Sequence, residues 1–509
     1  MFEKILIANR GEIAVRIIRA CREMGIRTVA VYSEVDRTAL HVQQADEAVA
    51  IGPPPASESY LSTDRIIQAA RATGAQAIHP GYGFLAENDD FARLCEKENL
   101  VFIGPNSTAL CLVGDKIRAR QTMEKAGIPI TPGMKSIPSN LAESVEAAGA
   151  LGYPVIVKAS AGGGGKGMRI VAEEKDLKPA LEAGMREAKA AFGDESVYLE
   201  KYLEEPRHVE IQVLADNYGN TVHLFERECS IQRRHQKIIE ETPSPALDPD
   251  LRNRMGEAAK RAVRAAGYNN AGTVEFLLDK DKNFYFLEVN ARLQVEHPVT
   301  ELVTGLDLVR QQILIASGEK LAFGQEDLRQ SGHAIECRIY AEDPAKGFLP
   351  SAGRITFLRE PSGPGVRVDS GVYAGWDVPI YYDPILAKLI VWGETRDTAC
   401  RRMARALDDY VILGIPSGLS FLKDAINHPE FRAGRTTTAF IPKYFRDWKK
   451  TEKEKEDQGR LALTVAAFDE IRKTTGPDGS PARSSRRERP SPWRSLGRWR
   501  IGGQSHHGV

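Results

Sequence analysis

The order of apolar and helical segments in the first hundred residues constrains the fold more than any other feature of this chain. Short apolar runs alternate with longer stretches of helical periodicity. We predict helices such as Glu12–Met24 and Thr63–Arg71, and strands at Ile5–Ala8, Thr28–Tyr32, Ala48–Ile51, Gln76–Ile78 and Val101–Ile103. Strands separated by helices form βαβ units, and their parallel sheet is covered on both faces. Ligands of such sheets bind beyond the carboxyl ends of the strands. The GxGxxG pattern of a dinucleotide site is absent there.

Composition argues against several classes of protein. The chain has 69 basic and 69 acidic residues, whereas a dedicated nucleic-acid binder carries a basic excess. Six cysteines without a CxxC pair are typical of a reduced protein, not of a disulfide framework or a zinc site. The first residues lack the features of a signal peptide, and no apolar run approaches membrane-spanning length. We therefore expect a cytoplasmic protein that binds neither membranes nor nucleic acid.

A run of four glycines predicts a phosphate-binding loop. The apolar segment 153–159 leads into SAGGGGKGM at 160–168. Consecutive glycines let the backbone approach a polyanion and present N–H groups to it, and Lys158 and Lys166 add positive charge. A flexible linker is the alternative, but it would not need flanking strands and paired lysines. Gly167 stands where a Walker A loop requires serine or threonine, so this is not a P-loop NTPase.

The pattern of apolar and polar residues changes after about residue 205. Residues 205–300 alternate between apolar and polar, which predicts an antiparallel sheet with one face toward a core or site. Residues 333–445 continue as mixed α/β. After about Trp448 the chain becomes charged and then rich in Pro, Ser and Arg, so we predict disorder with one short amphipathic helix within 461–471.

Two glutamates inside apolar segments predict a site for a divalent cation. Glu275 lies in TVEF and Glu288 in FLEVN, each among bulky neighbours. Together with the amide oxygen of Asn290 they offer hard oxygen ligands, which suit Mg²⁺ shared with nucleotide phosphates. Solvated acids on an edge strand are the alternative, which we favour for one such glutamate but not for two.

A polar loop follows these strands at once, at residues 290–301. Arg292 can hold a planar oxyanion by two hydrogen bonds. Glu296 can then act as a general base on that anion. An ordinary polar turn is the alternative, and for His297 alone we favour a packed, hydrogen-bonded residue.

A second polar cluster spans residues 226–237. It is rich in donors that suit phosphate or carboxylate groups, although a solvated charged hairpin is a fair alternative from composition alone. Cys229 within it is interpreted as a small core residue.

Several segments, taken together and in this order, resemble the biotin carboxylase family, the ATP-grasp component of biotin-dependent carboxylases. The segments are IANRGEIAVRI, HPGYGFLAEN, GDKIRAR, ASAGGGGKGM, CSIQRRHQKIIEE, FLEVNARLQVEHPVTE and GFLPSAG, and the resemblance covers roughly residues 1–446. It implies an α/β and α+β chain with the ATP-grasp architecture. The implied parts are a Rossmann-like parallel-sheet domain at 1–115, an ATP-grasp domain at 116–330 with a small glycine-rich lid domain at about 130–204, a mixed C-terminal domain at 331–446 and a charged tail at 447–509.

The resemblance also implies roles for individual residues. Those implied to bind ATP are Lys116, Lys158, Gly162, Gly163, Gly164, Gly165, Lys166, Gly167, Glu200, Lys201, Leu203, His208, Gln232, His235, Glu275 and Glu288. In this set Glu200, Lys201 and Leu203 line the adenine pocket. The glycine loop closes over the phosphates, and its lysine slot is arginine in many members of the family. Those implied to hold Mg²⁺ or Mn²⁺ are Glu275, Glu288 and Asn290.

The remaining implied roles concern bicarbonate and biotin. Bicarbonate is bound by Lys237, Arg292, Gln294 and Val295. Glu296 is the base that deprotonates it, and Tyr82 lies near the biotin pocket. Arg338 stabilises the biotin oxyanion and completes a catalytic set with Glu296, Arg292 and Lys237. The implied reaction uses ATP to convert bicarbonate into carboxyphosphate, whose CO₂ is captured by biotin.

Partners follow from the same resemblance. Biotin is attached to lysine in a Met-Lys-Met setting, which this sequence lacks, so we expect a separate biotin carboxyl carrier protein and separate carboxyltransferase subunits. The family also implies a homodimer. The final acceptor, such as acetyl-CoA in fatty acid biosynthesis, pyruvate or propionyl-CoA, stays open. The tail loosely resembles that of two-subunit pyruvate carboxylases, and docking through Trp493 and Trp499 competes evenly with a disordered solubilising role.

There are two alternatives to this interpretation, and only the second is of a different class. One is another ATP-grasp ligase, such as a carbamoyl-phosphate synthetase half, although such enzymes lack the combination of RLQVEHPVTE and ECRIYAED. The other is a non-catalytic nucleotide-binding regulator, which we would expect to have lost Glu288, Arg292 or Glu296.

Overall fold

The computed structural model describes residues 1–134, 141–160, 168–449, 460 and 463–468. The chain forms two units, Met1–Trp448 and Lys449–Val509. In the second unit residues 460 and 463–468 are helical, which agrees with the predicted short helix, while the predicted disorder falls on residues outside the described part. Among the described helices, none is both long and apolar enough to cross a membrane.

The N-terminal part is a parallel sheet of five strands flanked by helices. The strands are β1 (Lys4–Ile7), β2 (Arg27–Ser33), β3 (Glu47–Gly52), β4 (Ala77–His79) and β5 (Val101–Phe102), in the order β3-β2-β1-β4-β5. The helices are α1 (Gly11–Glu23), α2 (Leu40–Gln44), α3 (Thr63–Thr73), α4 (Asp89–Lys97) and α5 (Ser107–Gly114). All five predicted strands and both named helices are confirmed. β1 is central and buried along its whole length, as expected of a strand covered on both faces.

A small antiparallel module follows. After α6 (Lys116–Lys125) come α7 (Leu141–Leu151), β6 (Val155–Ala159), β7 (Arg169–Val171), α8 (Leu177–Phe192) and β8 (Val197–Lys201), with strand order β7-β6-β8. The carboxylate of Asp115 caps α6 by accepting from the N–H groups of Ile117 and Arg118 at 3.0 Å. The glycine run connects β6 to β7, and its residues 161–167 lie outside the described part.

An eight-stranded antiparallel sheet forms the centre of the molecule. Its strands are β9 (Arg207–Ala215), β10 (Thr221–Arg233), β11 (Gln236–Thr242), β12 (Asn270–Leu278), β13 (Phe284–Asn290), β14 (His333–Tyr340), β19 (Val366–Ser370) and β21 (Ile385–Gly393). Their order is β13-β12-β9-β10-β11-β14-β21-β19. The predicted antiparallel sheet is therefore confirmed. It also continues past residue 330, because β11 pairs directly with β14.

Helices and short strands complete the first unit. The helices are α9 (Pro249–Ala265), α10 (His297–Thr304), α11 (Leu308–Ala316), α12 (Arg396–Asp409), α13 (Leu419–Asn427), α14 (Pro429–Arg432) and α15 (Phe440–Tyr444). The short strands are β15 (Glu342–Asp343), β16 (Leu349–Pro350), β17 (Gly353–Arg354), β18 (Phe357–Arg359), β20 (Asp377–Val378) and β22 (Val411–Leu413). The central sheet contributes side chains to three large buried apolar clusters, which fixes the positions of its polar residues.

Candidate active site

Lys237 stands at the centre of a ring of carboxylates. It follows a tight turn between β10 and β11, and its Nζ lies 2.5 Å from Glu210 Oε2, 2.6 Å from Glu275 Oε1 and 2.8 Å from Glu296 Oε1. Glu210 and Glu275 are direct partners on β9 and β12. Burial opposes the charge of Lys237, but the three carboxylates outweigh it and raise the pKa of Lys237 well above its ordinary value. The lysine is therefore fully charged at any physiological pH.

Glu296 joins this ring to Arg338. Its Oε2 accepts a hydrogen bond of 2.9 Å from Arg338 Nη2, while its other oxygen faces Lys237. Burial works to raise the pKa of Glu296, yet Lys237, Arg338 and Arg227 together hold it well below the ordinary value. Glu296 is thus a buried carboxylate with free lone pairs, able to accept a proton from an anion placed beside it.

Acidic groups behind the site hold its arginines. Arg338 Nε donates to Glu240 Oε1 at 2.7 Å. Arg227 is completely buried and donates to the carboxylate of Glu210. It also donates to Gln212 Oε1 at 2.7 Å. The alternative of a solvated charged hairpin at 226–237 therefore holds for only part of the segment. Arg227 is a core residue, while the turn residues are partly exposed.

Arg292 is oriented by three side-chain acceptors. Its Nε lies 3.0 Å from Glu87 Oε2, and its Nη groups donate to Asn290 Oδ1 at 3.0 Å and to Gln294 Oε1 at 3.1 Å. This arrangement fixes the plane of the guanidinium, as an oxyanion-binding arginine requires. His297 is buried and its Nδ1 lies 2.7 Å from the carbonyl oxygen of Gln294, so the interpretation as a packed residue is confirmed.

The two predicted metal ligands lie side by side. Glu275 and Glu288 are register partners on β12 and β13. Burial raises the pKa of Glu288 and the neighbouring Glu275 charge raises it further, against the opposing charge of Lys116, while Glu275 is itself paired with Lys237. Both carboxylates and the Asn290 amide oxygen are hard ligands, and the residues fit Mg²⁺. Another group of possible ligands, His208, Glu210 and Glu275, contains two carboxylates that bind the Lys237 ammonium, which already supplies positive charge there.

Most of these side chains line one cavity of about 520 Å³, which we call the charged cavity. From the predicted set it is lined by Lys116, Lys158, His208, Gln232, His235, Lys237, Glu275, Glu288, Asn290, Arg292, Gln294, Val295 and Arg338. Glu87, Tyr198 and Met168 line it as well. The structure thus gathers residues from widely separated stretches of the sequence, from Glu87 to Arg338, around a single space.

A neighbouring cavity of about 300 Å³ has a different character, and we call it the aromatic cavity. Its walls include Tyr82, Phe84, Tyr340 and Tyr382, and also Asn9, Arg10 and Glu12 from the start of α1. The two cavities share a wall made of Gln236, Arg292, Val295 and Arg338. Glu296 contacts Lys237, which lines the charged cavity, and Arg338, which lines both cavities.

Some predicted residues are placed elsewhere. The carboxylate of Glu200 is bound by Lys158 Nζ at 2.5 Å and by Arg120 Nη1 at 2.7 Å. Lys201 Nζ donates to the carbonyl oxygen of Gly152 at 2.8 Å. Glu200, Lys201 and Leu203 do not line the charged cavity. The loop residues Gly162–Gly167, with Lys166 among them, lie outside the described part of the chain.

Sequence reasoning missed several residues that support the site. Glu87, Glu210 and Glu240 each hold a cation of the site. Glu210 lies in VEIQV, an acid within an apolar strand, which is the same signal that identified Glu275. Glu87 lies in the HPGYGFLAEN segment after β4, at the sheet edge where ligands of parallel sheets bind.

Comparisons with known proteins agree with this geometry. The family model of the biotin carboxylase N-terminal domain matches residues 1–110, and that of the biotin carboxylase C-terminal domain matches 336–443. The model named carbamoyl-phosphate synthase L chain, ATP binding domain, matches residues 115–323.

Individual relatives are similar over most of the chain. Biotin carboxylase 1 of Bacillus subtilis is 56% identical over 87% of this chain and 99% of that protein. A pyruvate carboxylase subunit of Methanothermobacter thermautotrophicus is 55% identical over 92% of this chain and 96% of that protein. A solved structure of the Hydrogenobacter thermophilus 2-oxoglutarate carboxylase biotin carboxylase domain dimer, with MgADP and bicarbonate, is 48% identical. It superposes with a TM-score of 0.86 over 89% of this chain and all of that one.

Proposed function

The chain belongs to the biotin carboxylase family, and from this premise we propose how its two cavities divide the reaction. The protein is a ligase with the ATP-grasp fold that carboxylates biotin with ATP and bicarbonate. We assign ATP and bicarbonate to the charged cavity and the ureido ring of biotin to the aromatic cavity. The observation that carries this assignment is the shared wall of Gln236, Arg292, Val295 and Arg338. A reactive carboxyl group formed on one side of this wall meets its acceptor on the other.

We assign the phosphates of ATP to lysines and polar side chains that line the charged cavity. Lys116 begins α6 and Lys158 lies on β6, and both ammonium groups line the charged cavity beside His208, Gln232 and His235. These donors neutralise the repulsion between the phosphates and bicarbonate. The glycine loop, Gly162–Gly167 with Lys166, is assigned as the lid that excludes water from carboxyphosphate, which hydrolyses readily. Glu200, Lys201 and Leu203 are assigned to the adenine side. The ion pair between Lys158 and Glu200 connects these residues to the phosphate-binding lysines.

Mg²⁺ or Mn²⁺ is assigned to Glu275, Glu288 and Asn290. The metal would neutralise charge on the phosphates during transfer. The chain itself prepares the site by placing the two carboxylates in register on adjacent strands. Burial and the like charge of Glu275 raise the pKa of Glu288, and a bound cation would oppose both effects.

Bicarbonate is placed between Lys237 and Arg292, with Gln294 and Val295 as further contacts. Glu296 then removes its proton, and the freed oxygen attacks the γ-phosphorus of ATP to form carboxyphosphate and release ADP. A carboxylate with a depressed pKa is a weak base in isolation. However, the cations that lower the pKa of Glu296 also favour loss of a proton from bicarbonate bound beside them.

Biotin is carboxylated on the other side of the wall. Carboxyphosphate breaks down to CO₂ and phosphate, and the phosphate takes the proton from the biotin N1. Arg338 stabilises the negative charge that forms on the ureido oxygen, and Tyr82 bounds the pocket. N1 then attacks CO₂. Arg338 is well suited to this role because Glu240 and Glu296 fix its guanidinium from behind.

We further propose that biotin arrives on a carrier protein and is passed to carboxyltransferase subunits. The protein is proposed to act as a homodimer, supported by the dimer named for its Hydrogenobacter relative. All six cysteines are free thiols, which supports a reduced, cytoplasmic setting. Relatives named for different carboxylases share similar identity, so the acceptor stays open among pyruvate, acetyl-CoA and propionyl-CoA.

The test is bicarbonate-dependent ATP hydrolysis and its stimulation by free biotin. We expect stimulation in the native enzyme, and a loss of roughly 100-fold or more in carboxybiotin formation for Glu296→Ala and for Arg338→Ala. ATP binding by calorimetry should stay within about threefold of the native enzyme in both, because neither residue is assigned to the phosphates.

A matched control is Glu394→Ala, at an exposed glutamate that belongs to neither cavity lining, which should leave the rates unchanged. An Arg338→Ala enzyme with unchanged turnover would contradict the role of Arg338. Absence of biotin stimulation in the native enzyme would contradict the assignment as a whole.

A further inference from the structure

Lys388 is a fully buried lysine outside the assigned machinery. It lies on β21, and none of its surface is exposed. Lysine is seldom buried completely unless its charge is paired. Its Nζ donates to the carbonyl oxygen of Val295 at 3.0 Å and lies 3.2 Å from Glu12 Oε2. These two contacts reach two different parts of the site.

The first contact fixes the loop that binds bicarbonate. The carbonyl of Val295 belongs to the same planar peptide group as the N–H of Glu296. Holding that carbonyl therefore sets the position from which the Glu296 side chain starts. Val295 itself is part of the shared wall.

The second contact reaches the aromatic cavity. Glu12 accepts a hydrogen bond from the Tyr82 hydroxyl through its other oxygen, Oε1. Both Glu12 and Tyr82 line the aromatic cavity. A continuous chain of contacts thus runs from Tyr82 through Glu12 and Lys388 to the peptide that precedes the base.

Charge neutralisation in the core does not account for this arrangement by itself. Asp369 lies 3.9 Å from Lys388 Nζ but is already bound by Arg367, with Nη2 at 2.7 Å and Nε at 3.0 Å. The buried Glu336 also interacts with the Lys388 charge, although burial keeps the pKa of Glu336 well above its ordinary value. A buried ion pair adds little stability compared with apolar residues of similar size. The Val295 carbonyl, which carries no charge, is the closest partner.

We propose that Lys388 is a positioning residue, which holds the Val295–Glu296 peptide in register with Glu12 and Tyr82. Lys388 would thereby hold the wall of the bicarbonate site at a fixed position relative to the wall of the biotin pocket. This inference rests on the proposed function. It adds a residue that touches neither substrate and acts through Val295 and Glu12.

The experiment compares three variants with the native enzyme: Lys388→Met, Glu12→Gln, and the double variant. Lys388→Met should lower kcat/KM for bicarbonate by roughly 10- to 100-fold, since small misplacements of reacting groups cost that much. The KM for ATP should stay within about twofold. Lys280→Met, at an exposed lysine, is the matched control and should leave all constants unchanged.

The double variant separates positioning from charge neutralisation. Glutamine in place of Glu12 is neutral and can still accept from Tyr82, so the double variant should recover the melting temperature that Lys388→Met loses. It should not recover kcat/KM for bicarbonate. Recovery of both would overturn the inference, because Lys388 would then only neutralise Glu12.

Glu12→Gln alone keeps the Lys388 bond to Val295. It should raise the KM for biotin more than the KM for bicarbonate, and equal shifts would also count against the inference. This variant carries the test if the others fail to fold. Failure of the proposed function would look different, because the native enzyme would then show no stimulation by biotin.

Discussion

The charged cavity and the aromatic cavity are held together by different kinds of contact. In the charged cavity buried carboxylates bind the cations of the lining, as Glu210, Glu275 and Glu296 bind Lys237. In the aromatic cavity neutral hydroxyl groups and ring packing also contribute, as the Tyr382 hydroxyl lies 2.6 Å from Ser33 Oγ. A substrate of the charged cavity therefore meets charges that are already paired, whereas the Tyr382 side of the aromatic cavity has its shape before a substrate arrives.

This difference predicts where each cavity is sensitive. Removing one charge from the charged cavity leaves its former partners buried without compensation, which costs stability and activity together. Removing a hydroxyl behind the aromatic cavity disturbs one hydrogen bond and leaves the apolar packing intact. Variants on the two sides should therefore differ in the size of their effect.

The largest effect should come from Lys237→Met. Three carboxylates lose their shared cation, so we expect the free energy of unfolding to fall by about 3–5 kcal/mol. Carboxybiotin formation should fall by roughly 1,000-fold or more, because bicarbonate loses a contact and Glu296 loses a neighbour. Urea denaturation and a carboxybiotin assay measure the two quantities.

Lys158→Met is the matched variant in the same cavity, and its loss of unfolding free energy is compared with that of Lys237→Met. Its partner Glu200 keeps Arg120, so the loss of unfolding free energy should be clearly smaller. Equal losses in the two variants would show that the three-carboxylate ring has no special role in stability.

An intermediate effect should come from Glu240→Gln, behind the shared wall. Burial and the Glu296 charge raise the pKa of Glu240 to about 7, against the opposing charge of Arg338. Between about pH 4.5 and pH 7 the carboxyl group of Glu240 therefore keeps its proton in the native protein, whereas the unfolded chain has lost it. The stability that it contributes is present below about pH 4.5 and is lost as the pH rises through about 7.

Glutamine removes this dependence. The variant should gain roughly 1–3 kcal/mol relative to the native protein between about pH 5 and pH 8, since one pKa unit corresponds to about 1.4 kcal/mol. Unfolding free energies at several pH values measure the difference. A constant difference across this range would contradict the shifted pKa.

The smallest effect should come from Tyr382→Phe in the aromatic cavity. The hydroxyl donates to the carbonyl oxygen of Pro54 at 2.5 Å and lies 2.6 Å from Ser33 Oγ, while the ring packs on Tyr60 and Phe84. Loss of the hydroxyl should lower the free energy of unfolding by about 1 kcal/mol. The KM for biotin should change by less than about threefold. A loss as large as that of Lys237→Met would show that the aromatic cavity is not preformed.

Local patterns in the sequence predicted much of the fold and of the site. The period of apolar residues identified the parallel strands and the antiparallel segment, and acids inside apolar strands identified Glu275 and Glu288. These signals are local, because a strand or an out-of-place charge is visible within a few residues. The ATP-binding and metal-binding roles of the individual residues stay predictions until variants are measured.

Contacts between distant segments were not visible in the same way. Glu240 and Arg338 are 98 positions apart, and nothing in either segment indicates that β11 lies beside β14. Likewise, the composition of residues 226–237 does not show that Arg227 is buried while Arg234 lies at a turn. Burial is decided by which strands pair, and pairing depends on the whole chain.

The pairing of β11 with β14 also bears on how this protein can be cut. A fragment ending near residue 330 would leave the N–H and C=O groups of β11 unpaired along an open edge. Open edges recruit other strands, so such a fragment should associate with itself or with foreign chains. Truncation at that point would expose an aggregation-prone strand edge and would not yield a fragment that folds independently. Expression of the part before β14 should therefore be rescued by supplying the part after it as a second polypeptide.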